Sequence, residues 1–194
     1  MDILERLKQE TAAHHRSVET VVPLTRPGFT LEEYAGYLDS LVPFYLQLES
    51  RLRAVKGLNR ILPDLTRRWK SADLAADLRA LGRLPAHEHR TPELPATGTI
   101  PQALGALYVL EGSTLGGRIL TRLLQEKLGG QVEGKTRFLA SYGAETGAMW
   151  RSLGDVLRET LRTQREQDEA IRAAQSTFTC FENWLRTVEP VTHE

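Results

Sequence analysis

Cysteine is nearly absent: Cys180 is the single one in 194 residues, which excludes an internal disulfide and any zinc site built from several thiolates. A reducing compartment fits. Net charge is absent too, with 25 Lys+Arg against 25 Asp+Glu, so no overall field draws the chain toward nucleic acid or an anionic membrane. Long apolar runs are missing, and the opening MDILERLKQE is charged and amphipathic. Neither a signal peptide nor a membrane span is expected, and the expected location is the cytoplasm. Sustained period-two alternation, internal repeats and low-complexity tracts are missing as well, which argues against sheets and solenoids. What remains is an all-α chain long enough for one core, so a single domain over residues 1–194 is expected, with 189–194 as a flexible tail.

The apolar positions place the helices. Ile3, Leu4, Leu7 and Val18 form one stripe with Thr11 and His14. At about 100° per residue, His14 falls near the centre of that stripe and His15 beside it, so the pair faces two directions. An imidazole facing a groove is a natural axial ligand for iron, whereas one on the stripe is an ordinary interhelical histidine. Thr30 followed by Glu33 predicts a capping box for a second helix, whose face from Tyr34 to Leu52 is broadly apolar and whose Pro43 predicts a kink. Tyr37, Phe44 and Tyr45 read as core. Leu58 to Leu81 predicts one or two shorter helices carrying Arg60, Arg67, Arg68 and Lys70. The proline-rich Leu84 to Ile100 predicts a loop. His87, Glu88 and His89 within it fall short of the three or four ligands that hold a metal.

The chain is organised around Ala103 to Leu128, ALGALYVLEGSTLGGRILTRLLQEKL. Its leucines recur three or four apart and predict a helix with a buried stripe. Gly112, Gly116 and Gly117 sit inside it, each at a cost of about 1 kcal/mol relative to alanine. Missing Cβ atoms let a helix bend and bring its backbone against a flat ligand or against another helix, and the pattern alone leaves both open. Further on, Lys135 to Ser141, a stretch from Thr146 through Leu161 and one from Ile171 through Leu185 predict three more helices. Trp69, Trp150 and Trp184 are expected as packing anchors, and Cys180 as a small core residue.

Two of these segments resemble one family. LKQETAAHHRSVE, Leu7 to Glu19, is similar to the proximal helix of heme oxygenases, and that register implies His15 as the iron ligand, Glu19 as the carboxylate that orients it, and Lys8 as a propionate contact. LEGSTLGGRIL, Leu110 to Leu120, resembles the family's kinked, glycine-rich distal helix, which implies that Gly112, Gly116 and Gly117 cover the other heme face. TLEEYAGYLDSLVPFYLQLE resembles its second helix. YVLEGSTLGG looks closest to the bacterial heme oxygenases that accompany bacteriophytochromes. The resemblance implies a helical bundle holding heme b as both cofactor and substrate. It also implies dioxygen, electrons from a reductase or ferredoxin-type donor, and the products biliverdin, carbon monoxide and ferrous iron, the biliverdin going to a bacteriophytochrome. No nucleic-acid or membrane partner is implied.

The chain departs from the family pattern twice. Where many members carry a distal aspartate directly after the first glycine, this chain has Ser113, so proton delivery falls to Ser113, Thr114 or a group elsewhere; the pattern does not fix the direction of Glu111. The lysine and arginine that others use for the propionates are Leu139 and Gly143 here, leaving Arg137, Tyr142 or Arg118 as candidates. A heme carrier or sensor that binds without turnover is the alternative reading. A di-iron oxidase ranks last, because no Glu-x-x-His occurs.

Overall fold

A computed structural model describes residues 1–84 and 91–188; the His87, Glu88 and His89 reading and the expected tail at 189–194 lie outside these. Among the described residues the chain is helical, without strands. Eight α-helices follow in order: α1 Ile3–Val21, α2 Leu31–Arg53, α3 Leu58–Ile61, α4 Ser71–Ala80, α5 Ile100–Leu128, α6 Arg137–Ala140, α7 Thr146–Thr160 and α8 Gln164–Thr187.

Side-chain caps fix where α2, α5 and α8 begin. At α2 the Thr30 hydroxyl accepts the Glu33 amide at 3.2 Å while the Glu33 carboxylate accepts the Thr30 amide at 2.7 Å, the expected capping box. Thr163 and Glu166 repeat it at α8, with 3.3 and 2.9 Å. Helix α5 starts three residues before the expected Ala103, because Thr99 accepts the Gln102 amide at 3.3 Å and Pro101 sits in the first turn. It then runs unbroken through every glycine.

Helix α8 is the common neighbour. Both α1 and α5 pack on it far more than on each other. Arg6 pairs with Asp168 at 2.7 Å on the α1 side, and the Trp184 indole donates to the Ser40 carbonyl at 2.7 Å, tying α8 to α2. Trp184 is thereby a packing anchor, and Cys180 is buried on the same helix.

Two buried carboxylates chain the shorter helices to the frame. Glu49 on α2 accepts the Lys70 and Ser71 amides at 2.6 and 3.0 Å, and so caps α4. Asp77 on α4 accepts the Arg137 and Phe138 amides, both at 2.9 Å, and caps α6 in turn. Those bonds limit α6 to one turn where the sequence predicts a helix from Lys135. Its far end is Ser141, whose φ of 49° is left-handed and stops the helix.

Gly105 is where α5 meets α8 most closely. A Cβ added there would lie 2.1 Å from the Ala170 carbonyl oxygen, inside any allowed contact, and the obstacle is backbone. Gly36 on α2, by contrast, has nothing within 4 Å of an added Cβ. Gly105→Ala should therefore cost about 3 kcal/mol of unfolding free energy through overpacking, and Gly36→Ala should gain up to about 1 kcal/mol. Urea denaturation of both variants checks the pair, and equal effects would contradict this packing.

Candidate active site

On α1, Thr11 and Leu7 point into the core while His15 stands out of it. The His15 side chain is 57 % exposed, and its Nδ1 lies 3.5 Å from Glu19 Oε1, one helical turn on. Its ring meets Phe178 of α8 edge-on at 5.9 Å, which fixes the imidazole plane. A carboxylate at Nδ1 favours the tautomer with the proton there and leaves the Nε2 lone pair outward, the arrangement of a histidine ready to hold a metal. His14 is half-buried, and its Nδ1 has no hydrogen-bond partner. The two histidines thus face different ways, as the helical spacing requires. Lys8, two turns before His15, is exposed.

The glycines of α5 divide by what they face. An added Cβ at Gly117 would lie 2.0 Å from the Leu139 carbonyl oxygen. Helix packing on α6 thus accounts for Gly117, which the resemblance placed on the heme face. At Gly112 the same atom would rest against the Trp150 ring at 3.8 Å, and at Gly116 it would meet nothing. Leu115 and Ile119 beside Gly116 are 45 % and 66 % exposed, the large apolar groups that α5 leaves open to solvent. An open glycine flanked by exposed aliphatic side chains suits a flat apolar ligand. The Tyr108 hydroxyl on α5 interacts with Thr11 on α1; one turn further along each helix come Gly112 and His15.

Behind this turn lies a buried ionic cluster. Glu111, 1 % exposed, accepts from Arg68 Nη1 at 2.6 Å and from the Tyr142 hydroxyl at 2.7 Å, with Lys70 Nζ at 3.9 Å. Arg68 is held in place by two further bonds to Asp64, at 2.9 and 2.7 Å, and one to the Met149 carbonyl at 3.2 Å. Lys70 donates to Ser141 at 2.9 Å and sits 3.4 Å from the centre of the Tyr142 ring. Burial pushes the Glu111 carboxyl above its ordinary range, against the pull of Lys70, Tyr142 and Arg68. Burial likewise drives the Lys70 ammonium down to about 8.

Several expectations move accordingly. Tyr142, a candidate propionate contact, points its hydroxyl inward at Glu111. Arg137 and Arg118 are exposed, and Arg137 meets Asp77 through its backbone amide. Ser113 donates to the Leu110 carbonyl at 2.7 Å. Sequence reading missed Glu111, Arg68 and Lys70 as a unit, because the three come from separate elements. The available signal was a carboxylate at position 111 on a helix otherwise lined with leucine. No group of three or more metal-ligating side chains occurs among the described residues, and no described helix is long and apolar enough to cross a membrane.

Known proteins resemble this chain in sequence and in fold. The family model described as heme oxygenase matches residues 1–187. A heme oxygenase of Xanthomonas campestris is 35% identical over 112 residues, 58% of this chain and 64% of that protein; the match thus spans just under two thirds of that relative. The heme oxygenase PigA of Pseudomonas aeruginosa is 27% identical over 186 residues, 93% of this chain and 90% of that one. Among solved structures, the NO- and CO-bound heme oxygenase of Neisseria meningitidis superposes with a TM-score of 0.78 at 27% identity, covering 97% of this chain and 92% of that one. The heme oxygenase of Leptospira interrogans shares the fold, with a TM-score of 0.76 at 15% identity over 96% and 100% of the two chains. Matched to the family model along nearly its whole length, this chain belongs to the heme oxygenase family.

Proposed function

We propose that this chain binds heme between α1 and α5, with His15 as the iron ligand, and degrades it oxidatively to biliverdin, carbon monoxide and ferrous iron. The observation that carries the reading is His15 itself: an exposed ring with Nδ1 turned to Glu19 and Nε2 left outward. Bound heme supplies the iron that activates dioxygen and the porphyrin edge that is opened. The protein supplies the rest. Glu19 keeps the imidazole oriented, and Phe178 meets it edge-on. Gly116 lets the backbone lie close to a flat surface, while Leu115 and Ile119 exclude water beside it. Lys8, exposed two turns from His15, is placed for a carboxylate at the cleft edge. Electrons come from an external reductase or ferredoxin-type donor, and the YVLEGSTLGG resemblance supports a bacteriophytochrome as the acceptor of biliverdin.

Optical titration of the purified protein with hemin, followed by ascorbate in air, tests the reading. The wild type should give a saturable Soret band that is replaced by biliverdin absorption, and His15→Ala should alter that band or lose it. A stable Soret band that ascorbate leaves intact would identify a carrier or sensor, and absence of saturable binding would sink the assignment.

Gly116 offers an independent check. Gly116→Val places two methyl groups in the open space above that residue, so hemin affinity should fall by about tenfold or more, roughly 1.4 kcal/mol. The unfolding midpoint should move little, because no neighbouring atom occupies that space. Unchanged hemin affinity in a folded Gly116→Val would place the ligand elsewhere.

A further inference from the structure

Tyr108, Gly112 and Gly116 follow one another at intervals of four on α5, so their side-chain directions lie along one line of the helix. The line is open at one end and closed at the other. At Gly116 nothing lies within 4 Å of an added Cβ, whereas at Gly112 the Trp150 ring stands 3.8 Å away. The same indole reaches back to Tyr108, with the ring centroids 5.4 Å apart and the planes tilted by 47°. Helix α7, which carries Trp150, also packs on α1. One turn past Trp150, an added Cβ at Gly154 would meet Leu4 Cδ1 at 3.0 Å. Helix α7 thus spans from α5 to α1, and the half-buried Trp150 ring ends the open stretch of α5 between them.

The ring is held from behind. Arg68, whose side chain is fully buried, donates through Nη1 to Glu111 at 2.6 Å and through Nη2 to the Met149 carbonyl at 3.2 Å. Glu111 directly precedes Gly112, and Met149 directly precedes Trp150. One planar guanidinium therefore ties together both sides of the Gly112–Trp150 contact. Its two bonds to Asp64, at 2.9 and 2.7 Å, keep it from turning.

We propose that Trp150 is a specificity-determining residue: as the end wall of the heme cleft it sets the angle at which the porphyrin is seated about the His15–iron axis, and so which meso edge lies at the open turn. Arg68 is the positioning residue that holds this wall. The inference rests on heme binding between α1 and α5 as proposed above. A flat macrocycle lying on glycine backbone meets little that opposes rotation in its own plane, because a surface without Cβ atoms offers no edge. An indole standing beside that surface offers one, and aromatic contact strengthens it.

The cyanide-ligated ferric hemin complexes of wild type, Trp150→Ala, Trp150→Phe, Arg68→Lys and the double variant Arg68→Lys/Trp150→Ala test this. The proton resonances of the heme methyls report the angle of the porphyrin to the proximal imidazole, and the biliverdin isomers formed with ascorbate in air are separated in parallel. Failure of wild type to bind hemin would overturn the functional reading and this inference with it. With hemin bound, Trp150→Ala should raise the share of a minor seating about threefold or more, the scale of one aromatic contact, and the main biliverdin isomer should lose share to the others. Trp150→Phe, which keeps a ring, should restore most of the wild-type pattern. Arg68→Lys keeps the charge but cannot make all of the guanidinium's bonds; it should shift the pattern in the same direction as Trp150→Ala, and add nothing once Trp150 is gone. A merely structural role would change the unfolding midpoint and leave the seating alone. Unmoved methyl resonances in folded Trp150→Ala would overturn the proposal while leaving heme binding intact, as would a changed seating with an unchanged isomer ratio. An Arg68→Lys shift undiminished in the Trp150→Ala background would overturn the role given to Arg68. The methyl resonances need no turnover, so they decide the seating even in a protein that only carries heme. If Trp150→Ala fails to fold, Trp150→Leu, which fills the site without a ring, decides it by the same resonances.

Discussion

Helix α5 lies where it does because it carries no side chain at the two places where neighbouring backbone comes closest. At Gly105 it meets the Ala170 carbonyl of α8, and at Gly117 the Leu139 carbonyl of α6. Any Cβ at either position would collide with a main-chain oxygen that cannot rotate away, so the helix would have to lift off both partners. Everything on the distal side inherits its position from these contacts. The thirteen residues from Gly105 to Gly117 are pinned at both ends, and at Gly116 between them nothing lies within 4 Å of an added Cβ.

The second contact depends on a relay of carboxylates. The Leu139 carbonyl faces Gly117 only because α6 is fixed, and α6 is fixed by Asp77 accepting two of its first amides. Helix α4, which carries Asp77, is started in turn by Glu49 of α2. Orphan amides at helix starts need acceptors, and here two buried side chains from preceding helices provide them. The frame from α2 to the distal turn is thus polar at its joints and apolar along its faces.

This division explains what could be read in advance. Helices α1, α2, α5, α7 and α8 follow from apolar periodicity, and α2, α5 and α8 also from threonine caps, all local signals; the Thr30–Glu33 box is visible in four residues. His15 with Glu19 one turn on, and the glycines at 112 and 116, are likewise local, and a motif captures them. Gly105 was legible as a glycine but not as a contact, because its partner Ala170 is 65 positions away. The same holds for the Glu111 cluster: Arg68 reaches across 43 positions and Tyr142 across 31. Sequence spacing carries no information about which side chains a bundle brings together at that distance. Gly117 matches the family motif and is explained by packing on α6, so motif membership and structural cause part company at that residue.

The displacement of the carboxylate from position 113 to 111 changes its physical role. Two residues at about 100° each turn the side chain through about 200°, nearly to the opposite side of the helix. The side chain at 113 is exposed, whereas Glu111 is directed into the protein, where only ion partners and hydroxyls can stabilise it. Burial raises its carboxyl above the ordinary range, and Lys70, Tyr142 and Arg68, the last held by Asp64 and the Met149 carbonyl, pull against that rise. A charge placed behind the helix cannot exchange protons with the cleft directly, but it is protected from the solvent screening an exposed acid would suffer.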